Sequence, residues 1–122
     1  MYIYYGNGGG GVNRNPDVVI QGDQRYYNLG TYLTGGDVNM DGYKDLIIGS
    51  KLSPMEGEQR GSVAVFLSRK MKNHSGAAYF FAHQADWILK GEQNYSWFGH
   101  EVVFHDKTSI GPVLIVSAPT YR

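Results

Sequence analysis

The chain has 122 residues, enough for one domain on length alone, with 11 basic and 11 acidic side chains and no cysteine. Its formal net charge of zero gives no electrostatic reason to bind nucleic acid or an anionic membrane, and the missing cysteines exclude disulfides while leaving the redox compartment open. Glycine (17) and tyrosine (10) stand out, which suits short strands joined by tight turns, and no stretch approaches the roughly 20 apolar residues of a membrane-spanning helix.

The first element is a strand-like YIYYG over 2–6. The opening MYIYYGNGGG has neither a basic n-region nor an apolar h-region, so it does not read as a signal peptide. Gly6, Gly8 and Gly11 then satisfy the spacing of a dinucleotide-binding glycine loop. Such a loop must open a helix whose first amides hold a pyrophosphate, and VNRNPD, with Pro16 and two asparagines, opens none. The glycine run is therefore read as a connection. A short strand VVI follows at 18–20, then the pair Leu29-Gly30 and a further apolar stretch.

Residues 37–45 read DVNMDGYKD. Asp37, Asn39, Asp41 and Asp45 occupy positions 1, 3, 5 and 9 of a loop, the carbonyl of Tyr43 falls at position 7, and Gly42 allows a reversal. A hard cation such as Ca2+ takes about six to eight oxygen ligands, so this register points to a calcium site. An EF-hand would need a bidentate acid at position 12, where Ile48 stands, and an exiting helix. Here Asp45 runs into the apolar strand LIIGS (46–50), so the loop joins two strands. The plain alternative is an Asx-rich turn without metal.

VAVF (63–66) is the next strand, residues 69–86 read as a linker, and WIL (87–89) opens a second series of strands. Residues 18–30 lie over 87–99 at a constant offset of 69, matching Gly22 with Gly91, Gln24 with Gln93, Tyr26 with Tyr95 and Gly30 with Gly99. LIIGS matches LIVSA (114–118) after one deletion, and YIYYG resembles VAVFL (63–67). The second unit keeps only Asp106 of the calcium set, in HDKTSIGP (105–112). About four short strands per unit describe a β-propeller blade. The expected organisation is the end of a preceding blade and a linker over 1–17, one repeat over 18–68, a linker over 69–86 and an incomplete repeat over 87–122. Fewer than two blades do not close a ring of typically about four to eight, so a segment of a larger propeller is expected.

These residues resemble the FG-GAP repeat of calcium-binding β-propellers. Leu29-Gly30 and Phe98-Gly99 stand for the FG element, and Gly49-Ser50-Lys51 and Ser117-Ala118-Pro119 for the GAP element. The calcium loop lies between the two elements of the first repeat, where that family carries it. Leu29 in place of phenylalanine and Lys51 in place of proline depart from the pattern and bear on packing. GDQRYYNLGTYLTGGDVNMDGYKDLIIGS and GEQNYSWFGHEVVF are similar to propeller repeats of the glycosylphosphatidylinositol-specific phospholipase D family. That likeness implies an all-β, partial propeller of about two blades of four antiparallel strands. It would be a non-catalytic part of a secreted hydrolase that releases lipid-anchored proteins. The implied partners are the remaining blades and an N-terminal hydrolase domain, and zinc would belong to that domain alone. The alternative is an adhesion propeller like that of an integrin α-subunit, which binds a protein ligand.

The other candidates read as structural. His74, His83, His100 and His105 are the possible zinc ligands, but none recurs in the first repeat, and all four are read as surface or core histidines. No nucleophile elbow is recognisable. Trp97 and the tyrosines at 26, 27 and 95 could form a binding surface on the loops, and packing between blades is the favoured reading. Asn73-His-Ser75 and Asn94-Tyr-Ser96 are N-glycosylation sequons.

Overall fold

The structure is a computed structural model in which residues 1–24, 27–72 and 77–121 are described. Among the described residues nine short strands carry it: β1 (Tyr2–Ile3), β2 (Val18–Gln21), β3 (Tyr32–Gly36), β4 (Asp45–Ser50), β5 (Ser62–Phe66), β6 (Ala78–Phe81), β7 (Trp87–Lys90), β8 (Val102–His105) and β9 (Val113–Val116). One short helix, α1 (Ser68–Lys72), and a single 3-10 turn (Ala82–Gln84) interrupt them.

The central sheet has the order β3-β4-β5-β7 and is antiparallel throughout. Its middle strands are apolar on both faces because both faces are covered. Ile48, Ala64 and Phe66 point one way and pack with Val18, Ile20, Ala78 and Phe80 of the sheet β1-β2-β6. Ile47, Val63 and Val65 point the other way and pack with Val102 of the pair β8-β9. Successive side chains of one strand thus serve two different cores, as the two-residue period of a strand requires. Three sheets stand side by side without closing on one another, and this all-β arrangement is propeller-type.

The sequence repeat is visible as register. Leu33 pairs with Ile48 in the first hairpin and Val102 with Val116 in the second, an offset of 69 on one strand and 68 on the other. That is the self-alignment with its one deletion. The strand WILK, which opens the second sequence unit, is β7 and completes the sheet of the first. VVIQ holds the same place beside β1, with Ile3 opposite Val18 as Val65 is opposite Trp87. Ile3 therefore corresponds to Val65, one step from the alignment of YIYYG with VAVFL.

Residues 69–86, read as a linker, hold most of α1, all of β6 and the 3-10 turn. β6 lies parallel to β2, with Ile20 opposite Phe80, and supplies the outer strand of the neighbouring sheet. Its AYFF alternates buried and exposed, so Phe80 enters the core with its ring 5.8 Å from that of Phe66.

Candidate metal loop and the FG-GAP contact

The β3–β4 hairpin places the DVNMDGYKD loop at one end of the central sheet. Asp37 closes the loop on itself: its Oδ1 accepts from the Asp41 amide at 3.0 Å and its Oδ2 from the Gly42 amide at 2.7 Å. Gly42 takes φ +89° there, and Met40 is also left-handed at +58°. Asp41 accepts from the Tyr43 amide at 3.0 Å and from Asn39 Nδ2 at 3.2 Å. The Tyr43 amide, and then Asn39, hold the Asp41 carboxyl below its ordinary pKa.

Asp45 differs from the other three. It is 2% exposed, and its carboxylate accepts from the Val38 amide at 3.0 Å and from the Ser68 amide at 2.9 Å. One buried carboxylate therefore ties the hairpin loop to the junction of β5 and α1. Nothing in the local pattern signals that second role, since Ser68 lies 23 residues away.

The side-chain carbonyl Oδ1 of Asn39 is buried and has no hydrogen-bond partner. A buried acceptor left without a partner is costly, and a cation is one thing that satisfies it. The donor set fits a hard cation in kind: three carboxylates, one amide oxygen and a backbone carbonyl, all oxygen. The described residues contain no group of three or more His, Cys, Asp or Glu side chains gathered around one point. In this form the loop's carboxylates are turned onto backbone amides.

Among the described residues the histidines make no such site. His83 Nδ1 lies 2.5 Å from Asp23 Oδ1, His100 Nδ1 is buried without a partner, His105 is exposed, and His74 lies outside the described residues.

The opposite end of the sheet holds the FG and GAP residues, and the geometry explains why they are small. A side chain at Gly49 would come within 2.3 Å of the Gly99 carbonyl oxygen, and one at Gly99 within 2.4 Å of the Ser62 carbonyl oxygen. Gly99 also takes φ +88°. The FG of the second repeat is thus seated, backbone against backbone, on the GAP of the first. In the first repeat Ser50 Oγ, at the end of β4, accepts from the Gly30 amide; in the second unit Ser117 Oγ, just past β9, accepts from the Glu101 amide.

Residues 30–66 match the FG-GAP repeat family. This is an FG-GAP repeat segment. The whole chain is 36% identical, over 125 residues, to the human phosphatidylinositol-glycan-specific phospholipase D, and 35% identical over 123 residues to the rat protein. A protein of the same name from Dictyostelium discoideum is 37% identical over 88% of the chain. The FG-GAP segment spans 14% of the length of the two mammalian proteins and 11% of the third. It is homologous over its full length to part of that larger chain. Among the described residues no helix is long and apolar enough to cross a membrane.

The aromatic residues of the FG-GAP segment divide. Tyr27 is buried, its hydroxyl near Ser62 Oγ and Met55 Sδ, whereas Tyr95 is half exposed. Tyr26 lies outside the described residues, as does the sequon asparagine Asn73. Asn94 is exposed, its Oδ1 accepting from Arg60 Nε at 2.8 Å.

Proposed function

We propose that this chain is a non-catalytic, calcium-binding propeller segment of a secreted hydrolase that acts like phosphatidylinositol-glycan-specific phospholipase D and releases lipid-anchored proteins. The observation that supports it is the similarity along the full chain to proteins of that name. The cleavage itself belongs to a separate hydrolase domain N-terminal to the propeller, where zinc would act. The role of this segment is to build the propeller with the remaining blades.

In this reading Asp37, Asn39, Asp41 and Asp45, with the carbonyl of Tyr43, hold Ca2+. The orphaned Asn39 Oδ1 supports it. The cation would supply the positive charge that lets three carboxylates share one short loop. Asp45 then links the loaded loop to Ser68 and hence to the start of α1. Secretion would carry glycans at Asn73 and Asn94. At Asn94 the modification precedes folding, because Ser96 of the sequon is 1% exposed and donates to the Arg60 carbonyl.

Two measurements test the reading separately. The whole protein should release a lipid-anchored reporter from detergent-dispersed membranes. A protein that instead leaves the anchor intact and binds a protein ligand would replace the hydrolase reading with an adhesion propeller. Calorimetry on this chain should show one calcium per molecule, abolished by Asp41→Ala; equal binding by that variant would remove the metal site.

A further inference from the structure

The end of the sheets opposite the Asx loop carries residues 22–24 and 27–31, 51–61 and 91–101. Among the described residues seven non-glycine residues have left-handed backbone, and six of them lie here: Asn28, Met55, Glu56, Gln59, Tyr95 and Trp97. Backbone in this region is costly for L-residues and persists where the surroundings over-determine it, which is common at binding sites.

The surroundings do over-determine it. The Tyr95 amide donates to the Glu58 carbonyl at 2.8 Å, and the Tyr95 hydroxyl donates to the Glu58 carboxylate. Trp97 Nε1 donates to Gln59 Oε1 at 2.9 Å. These bonds hold Tyr95 as a half-exposed ridge that borders two shallow clefts. One cleft, of about 450 Å³, is lined by Asn94, Trp97 and Thr120, and the other, of about 460 Å³, by Asn28, Glu58 and Gln59. Tyr95 lines both.

We propose that the Tyr95 ridge is a binding site for a neutral saccharide. A rigid aromatic ring offers a flat apolar face to the C–H face of a sugar ring at little conformational cost. The clefts beside it present amide, carboxylate and hydroxyl groups, the functions that a hydroxyl-rich ligand can bond. Among the described residues the cations at this end are turned onto protein: Arg60 Nε faces Asn94, Lys51 Nζ stands 5.3 Å over the Trp97 ring, and Lys90, at the end of β7, pairs with Glu56. With Glu58 at its centre the ridge suits an uncharged ligand better than a phosphate or sulfate. The saccharide has two possible sources, an external oligosaccharide or a glycan on Asn94 of the same chain.

The test uses the whole protein made in bacteria, without glycans, on immobilised neutral oligosaccharides, with sulfated glycans and a peptide array as comparators. Neutral oligosaccharides are expected to bind. Tyr95→Ala should weaken binding about tenfold, the loss of one aromatic stacking contact, while Tyr95→Phe stays within about threefold. Ile110→Ala, which removes an exposed side chain from the β8–β9 turn at the other end of the sheets, should leave binding unchanged. Protein made in a secretory host separates the sources. If it binds equally well the ligand is external, and if it no longer binds, the Asn94 glycan occupies the ridge. A folded bacterial protein that binds no neutral saccharide overturns the proposal. So does binding only to peptides or sulfated glycans, or binding indifferent to Tyr95→Ala.

Discussion

Gly99 shows how much one missing side chain decides. Its φ of +88° and its approach to the Ser62 carbonyl leave no room for a Cβ, so Gly99→Ala meets strain and a backbone clash together. A loss of at least about 2 kcal/mol is expected, seen as a lower denaturant midpoint with an unchanged slope. Tyr95 gives a second, independent test. Its hydrogen bond to the Glu58 carboxylate, then that group's charge, push the phenol above its ordinary value of 10.0. A group with a raised folded pKa contributes its stability below the unfolded value and loses it as pH rises through the folded one. The Tyr95 phenol should therefore titrate with its midpoint above 10.0 in a spectroscopic titration, and Glu58→Gln should bring that midpoint back toward 10.0.

At the scale of elements, two ties join parts of the chain that are distant in sequence. Asp45 accepts two backbone amides from inside the fold, so its role does not wait for metal. Asp45→Asn turns one acceptor into a donor facing an amide, and should cost about 1–3 kcal/mol even in calcium-free buffer. Thermal unfolding in chelator measures this. The second tie is β6. Phe80, 9% exposed, anchors that strand between β2 and the central sheet. Phe80→Ala should destabilise by about 3–5 kcal/mol, with faster hydrogen exchange at the β2 amides beside it. The existence of β4, β5 and the loop between β3 and β4 was legible from LIIGS, VAVF and the Asx spacing. β6 is not legible there, because its alternation spans only four residues inside a stretch with no counterpart in the first unit.

The whole molecule is apolar at both ends of its row of sheets. Tyr2, Val19 and Tyr79 stand in one row across β1, β2 and β6, with Tyr2 65% and Tyr79 74% exposed. At the far side Val103 and Ile115 are paired neighbours across β8 and β9 and both face out. Beside β7, exposed Trp87 and Leu89 border an apolar cleft of about 230 Å³ whose other wall is the two-stranded β8-β9 sheet. Faces of this kind call for further sheets. The chain expressed alone should therefore self-associate in sedimentation experiments, and flanking blades should suppress it. A monomer with a single cooperative unfolding transition would count against the proposed role as a propeller segment.

The sequence by itself determined the strand class, the repeat offset and the FG-GAP resemblance. Each rests on local pattern: two-residue periodicity, Asx spacing and small residues at matched places. Which strands share a sheet was decided only by tertiary structure. Strand pairing is a contact between residues far apart in the chain, and WILK joins the sheet of the first repeat because its apolar residues pair there along β5. The same holds for the double duty of Asp45 and for the Tyr95 ridge, whose partners Ser68, at the start of α1, and Glu58, between β4 and β5, lie elsewhere in the chain. No window of sequence contains both members of either pair.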